Sequence, residues 1–325
     1  MKKILFPLLS SFLLLLLLPY VLSKGWTAPL AAYRPTPSDP YTSDTADILI
    51  PVLVDDTVER LPLTQYLCGV VAAEMPASYD PEALKAQAVA ACSYMVYRAE
   101  NDPDTPAHKG AWVCNDPSHC KGYLTQAQMK QTWGEDDYAV YHAKIAAAVG
   151  AVAGQILTYE GEPVNAVFHA VSAGVTEKAA DVWGQDVPYL QAVESFVDVN
   201  AAQYLSHAEF SADELYELLS ILAPDIDKRL SVGEILRTES GGVRSAVIGG
   251  VTFTGVQLRS ALSLRSTHFE IAEKDGHFTF TVKGYGHCVG MSQYGAGQLA
   301  AGGMGYQEIL KTYYTDVDIE TYTFS

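Results

Sequence analysis

The pattern of apolar and polar positions divides the chain into three zones. Residues 4–22 are an almost unbroken apolar run, residues 25–46 are rich in Pro, Thr, Ser and Asp, and from residue 47 onward apolar positions recur with helix and strand periods. At about 1.5 Å rise per residue, the first run is long enough to cross a hydrocarbon layer of about 30 Å. Lys2 and Lys3 ahead of it favour a cytoplasmic N-terminus, which puts the body outside the cytoplasm. The favoured expectation for residues 1–24 is a single-pass transmembrane anchor in the cell membrane. A cleaved signal peptide, with Leu30-Ala31-Ala32 as its candidate processing site, is the alternative. Residues 25–46 read as a linker holding the body off the membrane.

Residues 47–325 read as one α+β domain of helices and mostly antiparallel strands. A first strand is predicted over 48–54 and a helix over 63–75. Asp80-Pro81-Glu82 is a strong helix start, combining an N-cap, proline at the first position and an acid at the positive dipole end. The helix it opens should run to about residue 100 with a small-residue face that packs closely on the preceding helix. Residues 101–123 read as a polar loop and 136–152 as a helix, with strands over 155–159 and 163–171. Ser211 to Glu214 forms a capping box before a helix to about residue 222. Strands follow over 234–238, 243–253 and 269–282, the last two folded about Gly249-Gly250 and Asp275-Gly276. Helices are predicted after Met291 and Tyr306.

The net charge is −17; loss of residues 1–24, with Lys2, Lys3 and Lys24 and no acid, would leave −20. Such a body offers no basic face for phosphates, which argues against nucleic acid as a partner. Of five cysteines, Cys68 and Cys92 sit in apolar helical patterns and read as core.

Two distant segments carry candidate chemistry. Glu74 ends the apolar run of residues 67–73 and precedes Met75-Pro76; Gly284, Gly286, Gly290 and Gly295 space a loop bearing His287, Ser292, Gln293 and Tyr294. Glycines let backbone approach a ligand, and these side chains both donate and accept hydrogen bonds, as sugar hydroxyls require. Read alone, Glu74 is equally a helix-end surface residue and His287 equally a buried histidine of a glycine turn. Tyr189 or Trp183 offers a ring for a sugar face. Ser172 is a further candidate substrate contact, and so is Lys85, although three residues after Glu82 it reads equally as a helix-face ion pair. His169 reads as structural. A Cys288–His287 nucleophilic pair is weak, because adjacent side chains rarely face one another.

His108, Cys114, His119 and Cys120 fall within thirteen positions of one loop. Two thiolates and two imidazoles suit tetrahedral Zn2+, and four protein ligands imply a structural site. A Cys114–Cys120 disulfide is the alternative outside the cytoplasm. If water took one position, the chain would read as a zinc-dependent cell-wall hydrolase.

Three stretches resemble the stage II sporulation protein D family, which includes proteins described as amidase enhancers. They are residues 66–94, with Glu74-Met-Pro76; Phe168 to Glu177, continuing through Trp183 to Leu190; and Gly286 to Ala296, ending near Tyr314. The resemblance spans roughly residues 47–320. It implies a lytic transglycosylase acting on peptidoglycan strands without stem peptides, with Glu74 as catalytic acid. It also implies a cell-wall amidase and other engulfment membrane proteins as partners, and a place between mother cell and forespore. The alternative it carries is a non-catalytic glycan-binding enhancer of an amidase. Arginine is common in the family where Cys92 stands, and glycine where Ala173 and Cys288 stand. The missing arginine predicts a lost cationic contact to substrate.

One acid suffices for this reaction. Ordinary glycoside hydrolysis uses two carboxyl groups. In a lytic transglycosylase the muramic acid C6 hydroxyl attacks its own anomeric carbon, so one residue protonates the leaving oxygen and then takes the C6 proton. The apolar residues flanking Glu74 are the kind of setting that favours a protonated carboxyl.

Overall fold

The computed structural model describes residues 48–102, 105–117 and 119–324. The predicted anchor or signal peptide and the linker lie outside the described residues. Among the described residues no helix is long and apolar enough to cross a membrane.

The described part begins with a hairpin of β1 (Leu49–Val54) and β2 (Thr57–Pro62), then α1 (Leu63–Glu74) and α2 (Pro81–Asn101). Asp80 caps α2 by accepting from the Glu82 N–H at 2.9 Å, with Pro81 at the first position. The sequence predicts an amphipathic α2, but the helix is buried on all sides from Ala86 to Val96. Its small side chains let α1 and the later helices close around it, making it the centre of the larger core.

The 101–123 segment contains β3 (Val113–Cys114), which pairs parallel to β1, with Val52 opposite Val113 and Leu53 opposite Cys114. The helix expected from residue 136 begins earlier, as α3 (Gln126–Val152). A Thr125–Gln128 capping box starts it and Gly134, at φ 78°, kinks it. Residues 126–135 carry few apolar positions, so their helix leaves little periodic signal.

β4 (Gln155–Tyr159) follows as predicted, but the strand expected over 163–171 is two short pieces, β5 (Glu162–Pro163) and β6 (Phe168–His169), followed by α4 (Ala179–Trp183). A second apolar cluster is then built from β7 (Leu205–Ser211), α5 (Ala212–Ser220), β8 (Val232–Arg237), β9 (Val243–Ile248), β10 (Val251–Thr254), α6 (Gly255–Ala261), β11 (His268–Lys274) and β12 (His277–Lys283). These form two antiparallel three-stranded sheets, in orders β10-β9-β8 and β11-β12-β7. Alternation in β12 sends Phe278, Phe280 and Val282 inward, against Leu215 and Leu219 of α5. The Ser211–Glu214 capping box forms as read.

The chain returns to the larger core through β13 (Met291–Ser292), α7 (Gln293–Ala301), α8 (Tyr306–Tyr313) and β14 (Asp318–Thr321), which pairs antiparallel to β4. β13 lies parallel to β6, with Met291 opposite Phe168 and Ser292 opposite His169. That pairing places the glycine-rich loop beside the Phe168–Glu177 stretch, more than a hundred residues away in sequence. The architecture is α+β with mostly antiparallel strands.

Candidate functional site

Glu74 is the last residue of α1 because Met75, preceding Pro76, is driven to extended backbone (φ −130°, ψ 138°). The half-buried carboxylate therefore projects from the final turn. Its Oε1 accepts the main-chain N–H of Gly122 at 2.7 Å, and its Oε2 faces the Gln293 amide nitrogen at 3.4 Å. The same amide reaches Gln87 Oε1 on α2 at 3.3 Å. Gln293 is the first residue of α7, whose Ser292 N-cap accepts from the Gly295 N–H. Two motifs that are far apart in sequence thus converge on one carboxylate.

Lys121 stands beside it. Its ammonium lies 4.2 Å from the Phe168 ring centre and 4.5 Å from that of Tyr94, in cation–π geometry. Burial pulls its pKa down to about 8, against the opposing pull of Glu74 and Cys120. Lys121, Gly122, Gln87 and Tyr94 are not among the site residues expected from the sequence, although Gln87 and Tyr94 lie in the family-like 66–94 stretch. The signal available for the first two was their position directly after Cys120.

His287 accepts the Val289 N–H on Nδ1 at 3.0 Å, which leaves the proton of the neutral ring on Nε2. Burial, then the neighbouring His169, holds its pKa well below the ordinary histidine range. The ring lies 5.7 Å from that of His169 and 5.3 Å from that of Trp183, which closes α4 and is 45% exposed. His169 is fully enclosed; its Nδ1 donates to the Val289 carbonyl at 3.1 Å, and burial lowers its pKa to about 4.

Other predicted contacts sit differently. Ser172 and Ser292 are completely buried, and both hydroxyls donate to Asp198, a buried carboxylate that the sequence did not single out. Burial raises the Asp198 pKa, while the serine hydroxyls pull the other way. This network ties the stretch at 172 to the start of α7 and holds Gln293 in place. Tyr294 is half-buried beside Tyr79 and donates its N–H to the Ala170 carbonyl. Tyr189 packs on Tyr159 at 5.6 Å and accepts the Asn165 N–H on its hydroxyl, contacts that belong to the β4 edge rather than to Glu74. Lys85 forms the helix-face pair with Glu82 at 2.6 Å, and Glu82 in turn accepts the Tyr306 N–H.

Position 92 faces the core: Cys92 is 0% exposed, so the arginine missing there leaves no gap in the wall around Glu74. Cys288 is also fully buried, with its thiol pKa pushed up to about 12, so it is no thiolate nucleophile. It adopts φ 63°, the left-handed conformation that glycine takes without strain.

The four candidate ligands of the 108–120 loop converge. His108 Nε2 lies 3.1 Å from His119 Nδ1 and 3.1 Å from Cys120 Sγ, while His119 Nδ1 lies 3.5 Å from Cys114 Sγ and 3.8 Å from Cys120 Sγ. All four ligand atoms fall within 4.8 Å of one another, and both thiols are free. Ligand atoms around a tetrahedral zinc stand roughly 3.3–3.8 Å apart, given bonds of about 2.0–2.3 Å, so the donor set and spacing fit that ion. β3 holds Cys114 to the first sheet, and the Tyr94 hydroxyl reaches the His119 carbonyl at 3.4 Å.

Comparison with known proteins identifies the family. The family model described as stage II sporulation protein matches residues 55–159, which include Glu74 and all four loop ligands. Stage II sporulation protein D of Bacillus amyloliquefaciens is 38% identical over 98% of this chain and 96% of its own length. The protein of that name from Bacillus subtilis is 37% identical over 88% of this chain and 83% of its length. The amidase enhancer of Bacillus subtilis is 26% identical, over 79% of this chain and 40% of its own length. With two relatives 37–38% identical over 88–98% of its length, this protein belongs to the stage II sporulation protein D family.

Proposed function

We propose that this sporulation-family protein is a lytic transglycosylase of peptide-free peptidoglycan strands, with Glu74 as its single acid/base. The observation that carries the reading is the convergence on one half-buried carboxylate of a main-chain N–H from one motif and a side-chain amide from another. The nearby carboxylate Asp198 has its oxygens taken by Ser172 and Ser292 and is 0% exposed, which leaves no free second acid there for a nucleophile. Glu74 protonates the glycosidic oxygen as the bond to the anomeric carbon breaks. The C6 hydroxyl of that sugar then closes on the anomeric carbon, and its proton returns to Glu74. Such proton transfer contributes about 10²–10⁴-fold in rate. Gln293 and Gly122 orient the carboxylate, and the exposed Trp183 ring beside His287 offers a face for a neighbouring sugar.

His108, Cys114, His119 and Cys120 would hold a structural zinc. A bound ion would supply charge and cross-linking rather than a reacting group, since four protein ligands leave no open position. This weighs against a zinc hydrolase. A second reading, a glycan-binding enhancer of a cell-wall amidase, is favoured by the relative that bears that name.

The test is to incubate the full-length protein in detergent with amidase-treated glycan strands and weigh the products, with Glu74→Gln alongside. Products ending in 1,6-anhydro-muramic acid, absent with the variant, support the transglycosylase. Strands that bind yet remain uncut would discard it in favour of the enhancer.

A further inference from the structure

We propose that Lys121 recognises the free lactyl carboxylate of the muramic acid residue whose glycosidic bond is broken, and so selects strands from which peptides have been removed. The proposal rests on the reading of Glu74 as the acid of that reaction. A body of strongly negative charge must meet a substrate that, once stripped of its peptides, carries a carboxylate on every second sugar. Long-range attraction cannot draw the two together, so a local cation at the bond to be cut is needed.

Lys121 is placed for this. Several other lysines are paired with acids: Lys85, Lys109 and Lys178 lie 2.6, 2.9 and 2.6 Å from carboxylates. Among the described residues Lys121 forms no salt bridge; its ammonium is held by the Phe168 and Tyr94 rings, at 4.2 and 4.5 Å. Aromatic faces fix the head group without consuming its hydrogen-bond donors, which stay available to an oxygen ligand. The residue is largely but not completely buried, so a ligand entering beside Glu74 can reach it.

The chemistry of the sugar supplies the distance. The lactyl ether leaves the ring at C3, two carbons from the anomeric centre, on the same sugar whose C6 hydroxyl attacks. A cation flanking the acid therefore falls beside that substituent. When a stem peptide is attached, the carboxylate is an amide and has no charge to offer. The metal-ligand loop and α2 hold the cation in place: Cys120 immediately precedes Lys121, Gly122 immediately follows and binds Glu74, and Tyr94 braces both His119 and the ammonium.

The experiment uses denuded strands and the same strands with their lactyl carboxyls converted to methylamides. The full-length protein is compared with Lys121→Gln and Lys121→Arg, each first checked for an unchanged melting profile and unchanged binding of added Zn2+. The wild type should cut free-acid strands about 10- to 100-fold more efficiently in kcat/KM than amidated ones, the usual range for a charge-assisted contact. Lys121→Gln should erase that ratio by losing only the free-acid activity, and Lys121→Arg should keep most of it. Equal cutting of both substrates by the wild type overturns the proposal without needing any variant. So does a Lys121→Gln protein that still discriminates, or that loses both activities equally, which would make the lysine a partner of Glu74 instead. If the wild type cuts neither, the transglycosylase reading itself fails, and this inference with it.

Discussion

The Gly122 N–H donates to Glu74 Oε1 at 2.7 Å, which fastens the loop of histidine and cysteine ligands to the carboxylate at the end of α1. Gly122 lies two positions beyond Cys120. Anything that orders that loop therefore also orders the acid. A Cβ at position 122 would lie 3.2 Å from Glu74 Oε1 and 3.2 Å from the Ala73 Cβ. Gly122→Ala should push the carboxylate aside, lowering turnover by about tenfold or more while shifting the melting temperature only slightly. Steady-state kinetics beside a thermal melt check both halves.

If the 108–120 loop holds the proposed zinc, its removal should act through stability. A structural zinc contributes folding free energy directly. A chelator should lower the melting temperature by about 10 °C or more and open the 106–120 loop to protease, with activity lost in step. Loss of activity with an unchanged melt would instead mark a catalytic ion.

Acid should destabilise the protein through its buried histidines. The folded pKa of His169 is about 4, below the ordinary value, so the unfolded chain binds more protons in between. The stabilisation is complete above roughly pH 6.5 and drains away as the pH falls toward 4, by up to about 3 kcal/mol. His287, also lowered, adds with the same sign. Denaturant titrations across this window should show the slope, and His169→Asn, which keeps a donor for the Val289 carbonyl but cannot titrate, should flatten it.

Gln293 joins Glu74 to Gln87, which is completely buried. Gln293→Ala should leave the Gln87 carbonyl unpartnered and cost about 1–3 kcal/mol, as well as activity. Adding Gln87→Leu should recover part of the stability but none of the activity, a coupling that a double-mutant cycle measures directly.

Trp183 is exposed and touches His287. Trp183→Ala should raise KM for long strands about tenfold with kcat and melting temperature nearly unchanged, because it removes a stacking face and no packed core. Glycan co-sedimentation should show the same loss.

Much of the fold could be read from local chemistry. The Asp80 cap, the Ser211 capping box and the Asp275-Gly276 hairpin form as their residues require, because each depends only on neighbours a few positions away. Signals failed where the partner is distant. The short β3 and β6 strands have no periodicity to show, since pairing with β1 and β13 is what makes them strands. The full burial of α2 likewise depends on helices that arrive later in the chain.

For the candidate site, residue types together with the family resemblance singled out Glu74 and Gln293, which the fold brings within 3.4 Å of each other, and the two histidines and two cysteines of the 108–120 loop, whose side chains converge. Composition and spacing also determined that the body is acidic and that the loop carries two histidines and two cysteines within thirteen positions. Only the tertiary structure could turn Ser172 and Ser292 inward to Asp198, seat Cys92 in the core, and bring Lys121 and Gly122 to the carboxylate. The reason is physical. A cap, a turn or a ligand set is written in residues within one or two turns of backbone, whereas the direction of a side chain is settled by which distant surface closes over it.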